Sequence, residues 1–319
     1  MDVNDRLPPK PIEPSESECC GTGCNPCVFD IYKKQLKKWE EECERIIKNE
    51  QPTNINNHNS TLHRLNPENY EKFKLLAIIP DAESSYVYRF NCNPVGSSVM
   101  GAANTFCVGI GQHILIKIGS IARQYTVLRL SKDNSGSSGH ECFDILIKIY
   151  SNGTLTPLIS KLQVNDEVLM RGPFGKPINL KPNMYKNIVM LAAGTGIAPF
   201  YRIIETVLNN EDDYTRITLI YSNKSVKHVL LKPDINRWSS FWNFRAIHFL
   251  TRNGAEPLPY GMEVKLNRLT FVQLAELCIN LEQCFYYICG TRSFEKDVVN
   301  YLRRMKVSDD RYHVFGINV

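Results

Sequence analysis

A glycine-rich turn in the second half of the chain has the residue types of a phosphate-binding site. In the segment LAAGTGIAPF, an apolar run ends at Gly194, Thr195 and Gly196, and Pro199 suits the first turn of a helix. Glycines let a ligand approach the backbone closely, and free N–H groups at a helix N-terminus attract a pyrophosphate. The segment lacks the complete GxGxxG spacing, and many α/β domains carry such a turn for packing alone. It therefore needs partners elsewhere in the sequence before it predicts a nucleotide site.

Three other segments could provide those partners. Residues 123–126, RQYT, place an arginine that can hold a phosphate beside a tyrosine and a threonine that can contact an aromatic ring system. Residues 153–157, GTLTP, predict a turn that leads into a helix and offers backbone N–H groups to a phosphate. Cys289 and Gly290 end the apolar run CFYYICG, at the edge where open α/β sheets bind ligands. Hydrolase and kinase activities have no support, because the sequence contains no HExxH, Ser-His-Asp elbow or P-loop.

The elements that must position these residues fall into two groups. Between about 68 and 182, short β runs such as HILIKIG and FDILIKIY are separated by turns, and GPFG at 172–175 closes the set, which is typical of a barrel. From about 183 onwards, apolar strands alternate with helices, which predicts a parallel sheet covered on both faces. The predicted fold class is therefore an antiparallel β barrel followed by a parallel α/β domain, with a small cysteine-rich module in front of both.

The 319 residues exceed what one ordinary core holds, so we expect several domains. Composition shifts predict four segments. They are a Pro-rich and Cys-rich module at 1–48, an Asn-rich linker at 49–67, the barrel at 68–182 and the α/β domain at 183–319.

The ordered motifs resemble the ferredoxin–NADP reductase superfamily, and more closely the NADH-cytochrome b5 reductases. In these proteins RxY[ST] binds flavin, GTGxxP begins the nicotinamide-nucleotide site, and a CG pair places a thiol beside the nicotinamide. The resemblance covers roughly 68–319 and implies an oxidoreductase with an FAD-binding barrel and an NAD(P)-binding α/β domain. NADH would deliver a hydride to FAD, which would pass single electrons to cytochrome b5 or another acidic haem protein.

The resemblance also implies roles for individual residues. Thr126 would hydrogen-bond near flavin N5, and Cys289 would position the nicotinamide; these two are the predicted catalytic positions. Arg123 would pair with a flavin phosphate, and Tyr125 would contact the isoalloxazine or ribityl chain. The full set of predicted cofactor contacts is Arg123, Tyr125, Thr126, Lys148, Tyr150, Gly153, Leu155, Thr156, Gly194, Thr195, Gly196, Thr251, Cys289 and Gly290. No metal ligand is predicted.

Several positions depart from the family pattern. Val127 replaces the proline usual after RxY[ST], Ala193 replaces the first glycine of GGTG, and TRSF at 291–294 replaces a proline run. Thr251 stands where NADH-using relatives tend to carry an acidic residue, which would accept hydrogen bonds from the ribose 2′-OH and repel a 2′-phosphate. Thr251 beside Arg252 would not repel it. We therefore expect NADH as the donor and consider NADPH permitted.

The N-terminal segment resembles a different, small oxidoreductase-like module. PPKPIEP followed by CCGTGCNPCVFDIY carries this resemblance over roughly 8–45. Cys19, Cys24 and Cys27 have the C-x4-C-x2-C spacing of plant-type iron–sulfur ferredoxins, with Cys20 or Cys43 as an unusual fourth ligand. Closely spaced thiolates could equally hold zinc, or remain structural or redox-sensitive thiols. The sequence does not choose between these possibilities.

Charge and cysteine content bear on partners and compartment. Of 38 basic and 33 acidic residues, 8 and 11 lie in 1–53, which leaves 30 and 22, or +8, in the remainder. A basic body suits an acidic protein partner, and no nucleic-acid-binding motif accompanies it. Eleven cysteines, an odd number without a signal-peptide pattern, favour a reduced compartment, so we expect a cytoplasmic protein without a transmembrane segment.

Two alternatives remain open at this point. The first is an NADPH-preferring reductase of another iron–sulfur or haem acceptor. The second is a catalytically silent, flavoprotein-like binding scaffold, which the changes at Val127 and 291–293 motivate and the retention of Arg123, Tyr125 and Cys289 opposes. The isolated histidines are expected to be satisfied surface or core residues; they are His113, His228, His248 and His313.

Overall fold

Six antiparallel strands form a closed barrel in the order β1-β2-β5-β4-β3-β6. The computed structural model describes residues 7–8, 10–11, 13, 28–47, 65–96, 106–133, 140–252, 257–278 and 283–315. The strands are β1 Glu71–Ala82, β2 Ser85–Pro94, β3 His113–Ile118, β4 Ile121–Asp133, β5 His140–Lys148 and β6 Glu167–Phe174. A four-residue helix, α2 Thr156–Ile159, lies between β5 and β6.

Aromatic side chains fill the barrel. Phe73, Phe90, Phe106 and Phe143 are at most 3% exposed, and the rings of Phe106 and Phe143 stack with centroids 4.3 Å apart. Alternation along each strand places every second side chain inside, so β-branched and aromatic runs are buried on one face. This packing makes the barrel a rigid support for the residues on β4 and β5.

The second domain is a six-stranded parallel sheet in the order β10-β9-β8-β7-β11-β12. Its strands are β7 Asn187–Ala193, β8 Arg216–Asn223, β9 Phe244–Leu250, β10 Glu263–Lys265, β11 Cys284–Cys289 and β12 Tyr312–Val314. Its helices are α3 Ala198–Leu208, α4 Lys232–Trp238, α5 Phe271–Cys278 and α6 Arg292–Arg304. The predicted fold class, a barrel followed by a parallel α/β domain, is confirmed.

The central strand β7 explains the continuous apolar runs of this domain. Ile188 and Met190 pack in the core that includes α3 and α4, whereas Val189 and Leu191 pack in the core that includes α5 and α6. A strand that is buried on both faces needs apolar side chains on both, so its sequence lacks the alternation of apolar and polar residues. Helices therefore cover both faces of the sheet.

The structure differs from the sequence prediction in one helical segment. The sequence of residues 225–240 predicts a helix-like stretch, but the structure has a 3₁₀ turn at Val226–His228 followed by α4. Leu231 separates them in a left-handed conformation, with φ 54°, and its N–H donates to both carboxylate oxygens of Asp81 at 3.0 and 3.2 Å. This bond to β1 compensates the backbone conformation that interrupts the helix.

The two domains share one hydrophobic core. Val87, Leu128 and Leu146 of the barrel belong to the same buried cluster as Met190 of β7 and Ile204 of α3. Apolar side chains that pack across a domain boundary resist separation, because opening the boundary would expose them to water. The relative placement of barrel and sheet is therefore fixed by packing.

Ion pairs reinforce the same boundary. Asp144 on β5 is completely buried and accepts two hydrogen bonds from Arg89, at 2.8 and 3.0 Å. Arg129 on β4 lies 2.9 Å from the same carboxylate and 3.7 Å from Asp234 of α4. From α3, Arg202 donates to the carbonyl of Val108, ahead of β3. The cluster at Asp144 orders the barrel side of the boundary, and the contacts of Arg129 with Asp234 and of Arg202 with Val108 cross to the second domain.

The N-terminal helix α1, Val28–Ile47, contacts the segment that leads into the barrel. Lys38 Nζ donates to the carbonyl of Glu68 at 3.0 Å, Trp39 Nε1 donates to Pro8 at 2.7 Å, and Cys43 is buried. The amphipathic helix predicted here is confirmed. The predicted thiol cluster at Cys19, Cys20, Cys24 and Cys27 lies outside the described residues.

Within the described ranges, no helix is long and apolar enough to cross a membrane. The same residues hold no group of three His, Cys, Asp or Glu side chains arranged for a metal ion.

Candidate functional site

Strand β4 presents the predicted RQYT residues at the barrel surface. The guanidinium of Arg123 donates to the carbonyl of Ala122 at 2.8 Å and to Thr154 Oγ1 at 3.0 Å, which joins the strand to the GTLTP turn. Burial raises the pKa of the Tyr125 phenol, so it stays protonated as a hydrogen-bond donor. The structure thus brings together two segments that lie about 30 residues apart in sequence.

The GTLTP turn is held closed by its own hydroxyl group. Thr156 Oγ1 accepts from the backbone N–H of Tyr150 and donates to its carbonyl, both at 3.1 Å. A Cβ on Gly153 would lie 2.6 Å from that hydroxyl, so only glycine fits. Leu155 is 2% exposed, which leaves only its backbone for a ligand. The turn is therefore a backbone surface beside Arg123, suited to a phosphate.

His113 is a site residue that the sequence prediction missed. It lies on β3 directly opposite Thr126 in the ladder, so the two side chains are neighbours on one face of the sheet. Its Nε2 is buried and has no hydrogen-bond partner among the described residues. Burial lowers its pKa to about 4, so the ring is neutral near pH 7. The expectation of satisfied histidines is therefore wrong for His113, whose Nε2 could take a hydrogen bond from a bound group, and for His248, whose Nδ1 is also buried without a partner among the described residues.

The GTGIAPF segment forms a tight turn at the carboxyl end of β7. Gly194 has φ +54°, and its carbonyl accepts from Tyr221 Oη at 2.8 Å, which anchors the turn to β8. At Gly196 a Cβ would lie 2.1 Å from the carbonyl oxygen of Cys289. The predicted helix starts slightly later than its motif, because residues 194–197 form a 3₁₀ turn before α3. The Gly194–Gly196 turn and the Cys289–Gly290 pair are therefore in direct contact.

The Cys289–Gly290 pair is supported from α6. Thr291 is the N-cap of this helix, and its side chain accepts from the N–H of Phe294 at 3.4 Å. Glu295 Oε1 accepts the N–H of Gly290 at 2.9 Å. Burial raises the pKa of the Cys289 thiol, so the sulfur is a protonated packing and hydrogen-bonding group and not a thiolate nucleophile.

Thr251 lies at the same edge of the sheet but further from the barrel motifs. Its N–H donates to the carbonyl of Asn223 at 3.1 Å, and the N–H of Arg252 donates to the carbonyl of Lys224 at 2.6 Å. The side chains of Thr251 and Arg252 are exposed, whereas Asn223 is 8% exposed and its Nδ2 has no partner in the described part of the chain. These hydroxyl, amide and cationic groups would accept an anionic or a neutral ribose.

A cavity of about 280 Å³ lies between the two domains. It is lined by residues of the barrel and by residues that follow β8; among them are Glu83, Lys148, Tyr150, Lys224 and His228. Burial and the nearby Lys224 ammonium lower the pKa of Lys148. Lys148 also lies over the ring of Tyr150, 5.9 Å from its centroid. Two lysines that repel each other across a cleft favour a phosphate-bearing ligand between them.

The residues present fit a flavin and a nicotinamide nucleotide on three structural grounds. His113 Nε2 and Asn223 Nδ2 are buried polar atoms without partners among the described residues. A Cβ on Gly194 would meet nothing within 4 Å, so the turn leaves open space for a ligand on that side. Arg123 stands beside a backbone turn that offers N–H groups. A bound dinucleotide could supply hydrogen-bond partners to these atoms and a phosphate to Arg123.

Comparison with protein families agrees with this geometry. Residues 98–177 match the family described as "Oxidoreductase FAD-binding domain", and residues 190–300 match "Oxidoreductase NAD-binding domain". Residues 5–48 match "Oxidoreductase-like protein, N-terminal", so the resemblance stated for that module is confirmed. The chain binds FAD and NADH as the resemblance implied.

Whole-chain relatives and solved structures point the same way. The human protein "NADH-cytochrome b5 reductase-like" is 30% identical over 312 residues, covering 96% of this chain and 94% of its own length. The cytochrome b5 reductase domain of Ulva prolifera nitrate reductase aligns with a TM-score of 0.64 at 20% identity, covering 80% of this chain and 100% of that one. The FAD/NAD-binding domain of a Vibrio cholerae nitric oxide dioxygenase gives 0.60 at 21% identity, covering 78% and 99%. The chain belongs to the NADH-cytochrome b5 reductase family of FAD- and NAD-binding oxidoreductases.

Proposed function

We propose that this oxidoreductase transfers a hydride from NADH to FAD and then single electrons to cytochrome b5 or a similar acidic haem protein. The observation that carries the proposal is the contact of the nucleotide-type Gly194–Ile197 turn with the barrel at the domain junction. The Gly194–Ile197 turn contacts β5, the strand that ends at Lys148, while the shared core prevents the domains from separating. When bound, FAD would supply the chemistry of the reaction: it can accept a hydride and release electrons one at a time.

The chain's own residues would bind and align the two nucleotides. Arg123 and the backbone of the GTLTP turn would hold the flavin phosphates, and Tyr125 would contact the flavin or its ribityl chain. The Thr126 hydroxyl and the neutral His113 ring stand side by side as hydrogen-bonding groups for the flavin. Gly194, Gly196 and Cys289 would admit the nicotinamide nucleotide against it. We keep the remaining predicted contacts, and the domain boundaries 1–48, 49–67, 68–182 and 183–319, as part of the proposal.

An anaerobic visible spectrum tests the core of the proposal. The purified protein should show a flavin band that one equivalent of NADH bleaches. A colourless protein that cannot be reconstituted with FAD would favour the scaffold alternative. Absorption that remains after flavin extraction would indicate a cluster at Cys19–Cys27 and support an iron–sulfur route to the acceptor.

The donor preference is expected to depend on Thr251. Thr251→Asp places a carboxylate at the exposed end of β9, where it would repel a 2′-phosphate and accept hydrogen bonds from a 2′-OH. We expect the NADPH-to-NADH ratio of kcat/KM to fall about tenfold, equivalent to ~1.4 kcal/mol. Steady-state kinetics with both donors measure it, and Thr251→Asn is the uncharged control of the same shape. An equal ratio in the Asp and Asn variants would place donor discrimination elsewhere.

The basic body is expected to steer an acidic haem protein. The net charge of +8 outside residues 1–53 should raise the encounter rate at low salt, where the screening length is about 30 Å at 0.01 M and about 8 Å at 0.15 M. We expect kcat/KM for cytochrome b5 at saturating NADH to fall about tenfold over that range. Menadione, an uncharged acceptor, should show little change. A flat profile with cytochrome b5 would argue against steering.

The thiols fit a reduced compartment. All seven cysteines in the described ranges are free; they are Cys43, Cys92, Cys107, Cys142, Cys278, Cys284 and Cys289. Free buried thiols are typical of proteins kept under reducing conditions, and we therefore propose the cytoplasm as the place of action.

A further inference from the structure

Glu295, in the first turn of α6, is a buried carboxylic acid to which the proposed electron transfer assigns no role. Its side chain is 3% exposed. Oε1 accepts the N–H of Gly290 at 2.9 Å, so the carboxyl group lies directly against the Cys289–Gly290 pair. The space there is tight, since a Cβ on Gly290 would lie 2.8 Å from both Ala193 and Phe294. The carboxyl group cannot easily move away from this pair.

The surroundings of Glu295 favour its uncharged form. Burial raises its pKa to about 7, and the N–H of Gly290 acts in the opposite direction. The carboxylate in turn raises the pKa of the Cys289 thiol, which means that the charge acts at the sulfur. A negative charge therefore develops beside Cys289 as the pH rises through neutrality, within the range in which the enzyme would work.

Other charged groups around α6 do not occupy this position. Arg292 and Lys296 are exposed to solvent, and Asp297 pairs with Arg268 at 2.8 Å. The packing segment Ala193–Ile197 carries no ionisable side chain. Cys289 is the titratable neighbour on β11, and its raised pKa keeps it protonated. In the described part of the chain, the charge state beside the Cys289–Gly290 pair thus follows the protonation of Glu295.

A hydrogen-bond acceptor for Gly290 does not by itself require a charge. A glutamine side chain could accept the same N–H without ionising, and it has nearly the same shape. The chain instead places an ionisable group where the family resemblance puts the nicotinamide. The oxidised nicotinamide ring is a cation, whereas the reduced ring is neutral, so a carboxylate nearby distinguishes the two.

We propose that Glu295 is a positioning residue whose carboxylate, next to the Cys289 thiol, strengthens binding of the oxidised nicotinamide nucleotide over the reduced one and makes that difference depend on pH. The inference rests on the proposed function, because it needs the nicotinamide at the Cys289–Gly290 pair. Loss of the Glu295 proton to solvent adds the negative charge. Oxidised nucleotide would then leave more slowly at high pH than at low pH.

The test measures nucleotide affinity in the full-length, FAD-loaded protein by the change in the flavin spectrum on titration. Dissociation constants are determined at pH 6 and pH 8 for NAD⁺ and for 1,4,5,6-tetrahydro-NAD, whose ring is uncharged and donates no hydride. In the unaltered protein, NAD⁺ should bind about five- to tenfold more tightly at pH 8 than at pH 6, and the tetrahydro compound should change little. Glu295→Gln should abolish the NAD⁺ difference while preserving binding at pH 6.

The tetrahydro compound also controls for His228, which lines the interdomain cavity near Glu83. An effect of the cavity side chains would act on both nucleotides through their shared phosphates, whereas the Glu295 effect is confined to NAD⁺. His113 and His248 have pKa values lowered to about 4 by burial and stay neutral throughout.

Each outcome has a separate meaning. A pH difference for NAD⁺ that persists in Glu295→Gln, or that is equal for both nucleotides, would overturn the inference and leave the proposed function intact. Failure of the unaltered protein to bind FAD or NAD⁺ would overturn both. Glu295→Leu, which removes the acceptor for Gly290, should weaken both nucleotides at each pH; an unchanged affinity would remove its positioning role.

Discussion

Gly196→Ala should nearly abolish reduction of the bound flavin by NADH while leaving the FAD content close to normal. The added Cβ would lie 2.1 Å from the Cys289 carbonyl oxygen and 2.5 Å from its carbon. These are backbone atoms at the end of β11, so no side-chain rotation relieves the contact. The two turns must separate, and a displacement of about 1 Å at a reacting centre costs about a hundredfold in rate. Anaerobic stopped-flow measurement of flavin bleaching determines the effect.

The control for this variant is another glycine on the same chain. Gly119, between β3 and β4, has a positive φ, +60°, and a Cβ there would meet nothing within 4 Å. Gly119→Ala should therefore cost some stability through its backbone conformation and leave the reduction rate unchanged. Reduction of Gly196→Ala at the rate of Gly119→Ala would show that the nicotinamide does not bind against the Gly194–Gly196 turn.

Arg123→Ala should cause the protein to lose FAD during purification. The guanidinium lies against Thr154 of the phosphate-binding turn, and a charge-assisted contact with a phosphate contributes about 1.5–3 kcal/mol. The dissociation constant for FAD should accordingly rise roughly 10- to 150-fold. Fluorescence titration of the apoprotein with FAD measures this dissociation constant.

Two further variants separate charge from geometry at this position. Arg123→Lys keeps the positive charge but loses the planar fork, so we expect an intermediate affinity. Arg216→Ala removes an exposed arginine at the opposite end of the sheet, where β8 begins, and should leave FAD binding unaltered. Normal FAD occupancy in Arg123→Ala would refute its assignment to the flavin phosphates.

Much of the fold follows from local sequence patterns. The strands around HILIKI and FDILIK, and the buried strand before Gly194, are short apolar runs bounded by turn residues, and they occur where these runs predict them. Strand β1 was not predicted as a separate run, because Pro80 and an acidic turn interrupt its apolar pattern; its pairing with β2 and β6 stabilises it. The three-residue strand β10 is too short to leave a pattern.

The candidate site was predictable only where motifs mark it. Arg123, the Gly194 turn and Cys289 belong to recognisable sequences, and the structure brings the first to a phosphate-type turn and the last two into contact. His113 and Glu295 carry no such signal. A lone histidine in a strand and a glutamate in a helix are common, and their significance arises from burial and from neighbours far away in sequence. Burial and such neighbours depend on how the strands and helices pack together, which a local sequence pattern does not reveal.

The contact of Arg129 with Asp234 across the domain boundary has a consequence for how this family could acquire new donors. Exchanging the whole nucleotide-binding domain for a foreign one would remove Asp234 from Arg129 and the apolar cover from Leu128 and Leu146. Modular recombination at this boundary is thus disfavoured unless the incoming domain carries a complementary surface. Point substitution at the sheet edge, as at Thr251, leaves the boundary intact and offers the easier evolutionary route to altered specificity.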